Sequence, residues 1–154
     1  ILPLVLHENE KITVDRNKLF KILGKNFNTA GERVWLKRRF KEYKIEDKDL
    51  SKLKMRMNII PASIALAQAA NESGWGTSRF ALEGNALFGQ WTWSKKGISP
   101  KNKDPNKTHK VLQFQVLKAS VRAYKNNLNT HNAYKEFREK SINPFSYSSN
   151  IESI

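Results

Sequence analysis

The run Pro61-Ala62-Ser63-Ile64-Ala65-Leu66-Ala67-Gln68-Ala69-Ala70-Asn71-Glu72-Ser73-Gly74-Trp75-Gly76 constrains this chain more than any other stretch. Between Pro61 and Ser73 it holds five alanines and one charged residue, Glu72. Pro61 fits the first position of a helix, where a missing N–H costs nothing, and Gly74 suits the left-handed residue just past the end. The spacing predicts a helix from about Pro61 to Ser73. Its alanine body, with Ile64 and Leu66, lets neighbours approach from several sides, the mark of a central buried helix. Glu72 stands in the last turn, where the partial negative charge of the helix end opposes ionisation. Burial and the dipole would both raise its pKa, as a general acid near neutral pH requires. The competing reading is an exposed terminal Glu paired with a lysine. Trp75, flanked by Gly74 and Gly76 that let a ligand come close, favours the acid.

A chain of 154 residues suits one domain, long enough to bury roughly two-thirds of its unfolded surface. We expect flanking helices over 1–58, a catalytic core over 60–142 and a tail over 143–154. With no cysteine, the chain has no thiol nucleophile, thiolate metal site or disulfide. Ile1 to Leu6 is too short for a signal peptide and lacks a basic flank, and no apolar run could span a bilayer. The 28 Lys and Arg against 14 Asp and Glu give a net charge of +14, which draws polyanions such as nucleic acid, anionic lipid or cell wall. The basic residues spread from Lys11 to Lys140, so much of that charge reads as solvated surface. His109 and His131 show no metal-ligand spacing and read as structural hydrogen-bonding groups; neither a metal nor a cofactor is expected.

Along the chain, Ile12, Leu19, Phe20 and Leu23 fit one face of a helix over 8–23 closed by Gly24. Thr29 with Glu32 forms a capping box opening a second helix, whose stripe is Leu36, Phe40 and Tyr43 and whose solvent face carries Lys37, Arg38 and Arg39. A third runs from about Asp47 to Met57. After Gly76, residues 77–80 suit a short helical turn, Leu87 to Trp93 a strand with Trp91 and Trp93 on one face and Phe88 on the other, and 94–107 a loop. Val111 to Val116 returns as an antiparallel strand. Leu117, Val121, Tyr124 and Leu128 mark a helix to about Asn129, and Tyr134 and Phe137 a shorter one. The fold class is α+β, predominantly α.

The run from Ile60 to Trp93, with Ala-Gln-Ala-Ala-Asn-Glu-Ser-Gly-Trp-Gly followed by Gly84-Asn85-Ala86-Leu87-Phe88-Gly89, resembles the catalytic core of glycoside hydrolase family 73, peptidoglycan N-acetylglucosaminidases. Thr77-Ser78-Arg79-Phe80, Lys107-Thr108-His109-Lys110-Val111 and Asn127-Leu128-Asn129-Thr130-His131 are similar to its Bax-type bacterial subgroup. The resemblance covers essentially the whole chain. It implies a lysozyme-like helical domain with a small antiparallel β-hairpin lobe over a groove, and it matches Glu72 to the catalytic acid. Many members place a second carboxylate on the β lobe. Here only Asp104 lies between Trp93 and Val111, and beside Pro105 it reads as a turn residue; Glu83 looks structural. Without a second acid, the substrate's own N-acetyl group can serve as nucleophile. A C-terminal tyrosine assists in family members, and Tyr147 best resembles it, with Tyr134 in reserve; a packed aromatic is the alternative for both. Trp75, Trp91, Phe88 and Gln68 are the expected substrate contacts, since sugar rings present apolar C–H faces to aromatic platforms; the same aromatics can fill a core, with Trp91 favoured for the groove, Phe88 for the core and Trp75 for either.

The resemblance implies a hydrolase of the β-1,4 bond between N-acetylglucosamine and N-acetylmuramic acid. Its expected partner is the peptidoglycan glycan strand, with no metal and no specific nucleic acid. Its expected place is the bacterial periplasm or outside the cell, with no export signal in this chain. The competing readings are lysozyme or lytic-transglycosylase specificity, or a basic wall- or nucleic-acid-binding module without turnover, which the net charge and the missing second carboxylate motivate.

Overall fold

The computed structural model describes residues 1–95, 97–100 and 109–142. Tyr147 and Asp104, singled out above, lie outside the described residues. The element order is α1 (Leu2–Leu23), α2 (Ala30–Glu42), α3 (Leu50–Arg56), α4 (Ala62–Ser73), α5 (Arg79–Gly84), β1 (Trp91–Thr92), β2 (Gly97–Ile98), β3 (Lys110–Leu112), α6 (Leu117–Thr130), a 3-10 turn (Asn132–Tyr134) and α7 (Lys135–Ile142). The chain is α+β and predominantly α, as expected. It forms two compact units: Ile1–Asn9 with Ile60–Lys125, and Glu10–Ile59 with the described residues from Asn126 on.

The second unit is built on helix ends satisfied by side chains. Thr29 accepts from the Glu32 N–H at 3.2 Å while Glu32 accepts from the Thr29 N–H at 2.8 Å, the reciprocal box expected at the start of α2. Asp49 caps α3 by accepting from Ser51 and Lys52. Three arginines close the opposite ends, since a guanidinium can serve orphan carbonyls. Arg16 donates to Lys54 O and Met57 O, Arg56 to Tyr43 O and Lys44 O, and Arg138 to Leu128 O and His131 O. Part of the positive charge is thus structural rather than solvated. The core packs Ile12, Leu19, Ile22, Leu36, Phe40 and Tyr43 with Ile45, Leu53 and Met57. The stripe on α1 differs from the one expected: Ile22 is buried, whereas Phe20 and Leu23 are exposed. Phe20 instead lies beneath the cations of Arg16 and Lys54, 5.2 and 5.3 Å from its ring centre.

In the first unit, the Asn9 side chain clamps Ile60 by donating to its carbonyl at 2.7 Å and accepting from its N–H at 2.9 Å, fixing the entry to α4. Pro61 sits at the cap of α4 rather than at its first turn. Burial on α4 recurs every four residues at Ala65, Ala69 and Ser73. Ile64 and Leu66 are exposed, which corrects the expectation of a helix buried from several sides. Small residues here let one face approach its neighbours closely, and the other face is open.

The small antiparallel sheet has the order β1-β3-β2, with Trp91 opposite Val111 and Gly97 opposite Leu112. The expected hairpin therefore gains a third strand from residues read as loop. Its first strand is shorter than expected, because Gly89 adopts φ +56° and breaks the extended run before Trp91.

Candidate active site

The site is assembled where α4 ends. Gly74 adopts a left-handed conformation (φ 57°), and its N–H donates to Asn71 O while the Trp75 N–H donates to Ala70 O. This pair of bonds is the Schellman closure, which serves the last carbonyls of the helix. Buried Ser73 locks the turn: its Oγ donates to Ala69 O at 2.5 Å and accepts from the Gly76 N–H at 2.8 Å. The Ser78 N–H then returns to Ser73 O at 3.0 Å, and Ser78 caps α5. Trp75 is itself left-handed at φ 59° and 86% exposed. A bulky residue held there carries strain of roughly 1–2 kcal/mol, and the outcome is an indole standing in solvent three residues after Glu72.

Glu72 is exposed, not buried as the sequence suggested. Its carboxylate is laid against the backbone of Gly89: a Cβ on Gly89 would come within 2.9 Å of Glu72 Oε2. Glycine takes the positive φ without strain and leaves the carboxylate this close, whereas a Cβ would push Oε2 aside. The loop carrying Gly89 is held from several directions. Asn85, left-handed at the end of α5, donates through its side chain to Phe114 O at 3.0 Å, and the Phe114 N–H donates back to Gly84 O at 2.8 Å. Phe88 is buried and stacks face to face on Tyr124, with ring centres 3.9 Å apart and planes within 6°. The Tyr124 hydroxyl donates to Gln68 Oε1, one helical turn before Glu72 on the same face of α4. A continuous line of contacts therefore links Gly89, Phe88, Tyr124 and Gln68 beside Glu72.

The first unit has three carboxylates among its described residues. Glu8 is paired with Arg122 and Lys125, and Glu83 with Arg79. Glu72 makes no hydrogen bond or ion pair among the described residues, so no lysine among them holds this end-of-helix Glu. Trp91 is 62% exposed and stacks on His109 at 4.3 Å, so this histidine backs an aromatic platform. Trp93 is exposed as well.

Of the expected site residues, Glu72, Gln68, Trp75, Phe88 and Trp91 all fall in the first unit. Phe88 has the core role, with one ring face covered by Tyr124. Tyr134 belongs to the second unit, half-buried in the 3-10 turn, with its ring edge-on to His131 at 6.4 Å. Gly89 and Tyr124 were not singled out from sequence. Gly89 was visible only as the last letter of a motif, and Tyr124 as one member of a helical stripe.

The family model described as mannosyl-glycoprotein endo-beta-N-acetylglucosaminidase, the glucosaminidase family, matches residues 48–153. The chain is 36% identical over 145 residues to Protein bax of Escherichia coli (strain K12), an alignment covering 90% of this chain and 52% of that protein. The chain thus spans about half the length of this curated relative. No solved structure matches.

Proposed function

The chain is a Bax-type member of the glucosaminidase family, glycoside hydrolase family 73, and from that membership we propose that it hydrolyses peptidoglycan at the β-1,4 bond between N-acetylglucosamine and N-acetylmuramic acid. Glu72 is the general acid. The observation that carries this reading is an exposed carboxylate lying against Gly89 with no partner among the described residues, followed three positions on by the exposed indole of Trp75. Such a group is free to meet a glycosidic oxygen, and an indole offers an apolar face to the C–H face of a sugar.

Protonation of the bridging oxygen by Glu72 breaks the C1–O bond and releases the muramic acid end as the leaving alcohol. The carbonyl oxygen of the 2-acetamido group bonds to C1 and carries the positive charge that develops there. Water then attacks C1, the acetamide is restored, and the Glu72 carboxylate takes the water's proton, returning to its starting state. This route draws on the absence of a second unpaired carboxylate among the described residues of the first unit. Gln68, held by Tyr124, and Trp91, backed by His109, position the strand. The site of action is the bacterial envelope or beyond it; among the described residues no helix is long and apolar enough to cross a membrane.

Purified cell-wall sacculi test the reading. The protein should release fragments with reducing-end N-acetylglucosamine, identified by mass spectrometry after borohydride reduction. Reducing-end muramic acid or its anhydro form would replace the proposal with lysozyme or transglycosylase chemistry. A high-mannose glycoprotein run in parallel tells whether the substrate is instead the one the family description names.

A further inference from the structure

A pocket of about 730 Å³ opens in the second unit against α2 and the turn that follows it. Leu36, Phe40 and Ile45 form its apolar part. Arg33, Lys37 and Lys41 stand along one side, at the four-residue spacing that aligns side chains on a helix. Lys44 and Lys48 complete the rim, with Glu46 the one acid lining the pocket. The chain turns back after α2 through a bond from the Ile45 N–H to Phe40 O at 2.9 Å. Lys44 and Lys48 are both left-handed, at φ 54°, a conformation that lysine adopts at a cost and that holds two of the rim cations.

Some other cations of this unit are matched to carboxylates. Arg39 meets Asp15 and Glu42, Lys25 meets Glu32, and Lys52 meets Asp47. By contrast, Lys37, Lys41, Lys44 and Lys48 have no carboxylate within ion-pair distance among the described residues. Four unmatched point charges thus ring one apolar cavity, whose volume lies in the ordinary range of small-molecule sites, roughly 300–1,000 Å³.

We propose that this pocket binds an anionic phospholipid, with an acyl chain entering over Leu36, Phe40 and Ile45 and the phosphate held by the lysine rim. Lysine ammonium groups suit phosphate, whereas recognition of carboxylate draws on the planar fork of arginine, and the rim has four lysines to one arginine. A peptide entering the same cavity would bring backbone N–H and C=O groups to an apolar wall that cannot bond them, whereas an acyl chain brings none. The proposal is independent of the glycosidase reading, since it uses no residue of that site.

Co-sedimentation with phosphatidylcholine vesicles, with and without phosphatidylglycerol, tests it. The protein should pellet with the anionic vesicles, and Lys37→Glu/Lys41→Glu/Lys44→Glu should weaken that binding at least about tenfold. A control with the same change of net charge, Lys21→Glu/Lys95→Glu/Lys135→Glu, should weaken it far less. Equal losses in the two triples would overturn the proposal, because the net charge alone would then account for binding. Calorimetry with soluble dihexanoyl phosphatidylglycerol against glycerol phosphate separates the apolar part from the charge. Tighter binding of the short-chain lipid supports the pocket, and equal binding of the two overturns it. Binding of an acidic peptide by the rim, without retention on anionic vesicles, would also overturn it.

Discussion

Glu8 on α1 and Glu72 on α4 belong to the same compact unit and receive opposite treatment. Glu8 is 1% exposed, with one oxygen 3.1 Å from Lys125 Nζ and the other 3.4 Å from an Arg122 nitrogen. Glu72 is exposed and has no partner among the described residues, although α4 and the Gly89 loop around it are densely bonded. A buried carboxylate must be satisfied or it does not stay ionised. An exposed one needs nothing from the protein, so a scaffold that positions it without pairing it leaves it free for a ligand. Burial of charge marks structure in this unit, and the carboxylate without a partner among the described residues marks the candidate site.

The comparison breaks most directly at Glu72. Glu72→Gln keeps the shape and removes the proposed proton donor, and general acid catalysis is worth roughly a hundredfold to ten-thousandfold. Turnover of sacculi should fall by about that factor while the thermal midpoint stays where it was. A variant with normal folding and undiminished release of wall fragments would end the case for Glu72. Glu8→Ala should do the reverse. Removing one partner strands Lys125, which is itself buried, and should cost about 3–5 kcal/mol of stability. Denaturant unfolding measures that loss. Activity per folded molecule should be kept below the lowered midpoint, and a selective loss of activity would show that Glu8 is more than structural.

Gly89 connects the two treatments. An alanine there would have to hold φ near +56° and place its Cβ 2.9 Å from the Glu72 carboxylate. The backbone part should cost roughly 1–2 kcal/mol. The carboxylate can swing aside, and a displacement of about 1 Å is enough to lower turnover by roughly a hundredfold. Gly89→Ala should therefore lose far more activity than stability. Equal and small losses would mean that the position of Glu72 over this glycine is not what matters. Tyr124→Phe is milder, since the ring keeps its stack on Phe88 and only the hydrogen bond to Gln68 is lost. About 1 kcal/mol of stability is expected. With Gln68 no longer held, KM should rise a few-fold and kcat change little.

Much of this arrangement is legible in the chain because it is written locally. The Thr29 and Glu32 box, the stop at Gly74 and the boundaries of α6 follow from spacing and capping chemistry, which act over a few residues. Glu72 stood out because it is the lone acid of an alanine-rich helix and stands in the last turn, where the helix dipole opposes its charge. The pairing of Glu8 with Lys125 joins residues 117 positions apart, and nothing in either neighbourhood signals it. The same holds for Gly89, whose need to be glycine comes from a carboxylate on another helix, and for β2, whose pairing with β3 was hidden by a loop-like composition. The exposure of Ile64 and Leu66 was missed because apolar residues on a short-side-chain helix predict burial without saying which face finds a neighbour.

Glu32 provides the finest test, because it is an acid at the surface with both oxygens engaged. Lys25 donates to one oxygen at 2.5 Å and the Thr29 N–H to the other at 2.8 Å. The Lys25 bond first, and the Thr29 bond second, hold its carboxyl down to about 2 from the ordinary 4.5. A depressed folded pKa means that the unfolded chain takes up the proton first. The stability this group lends is therefore complete above pH 4.5 and is lost as the pH falls towards 2. Lys25 is half-exposed, so salt should screen its share and raise the midpoint, while the Thr29 bond persists. Carbon-detected NMR titration should give a Glu32 midpoint near 2 at low salt, and Lys25→Ala should bring it part of the way back towards 4.5. A wild-type midpoint already at the ordinary value would mean that the box leaves this carboxylate as unengaged as Glu72. The distinction between held and free surface acids, on which the reading of Glu72 depends, would then lose its basis.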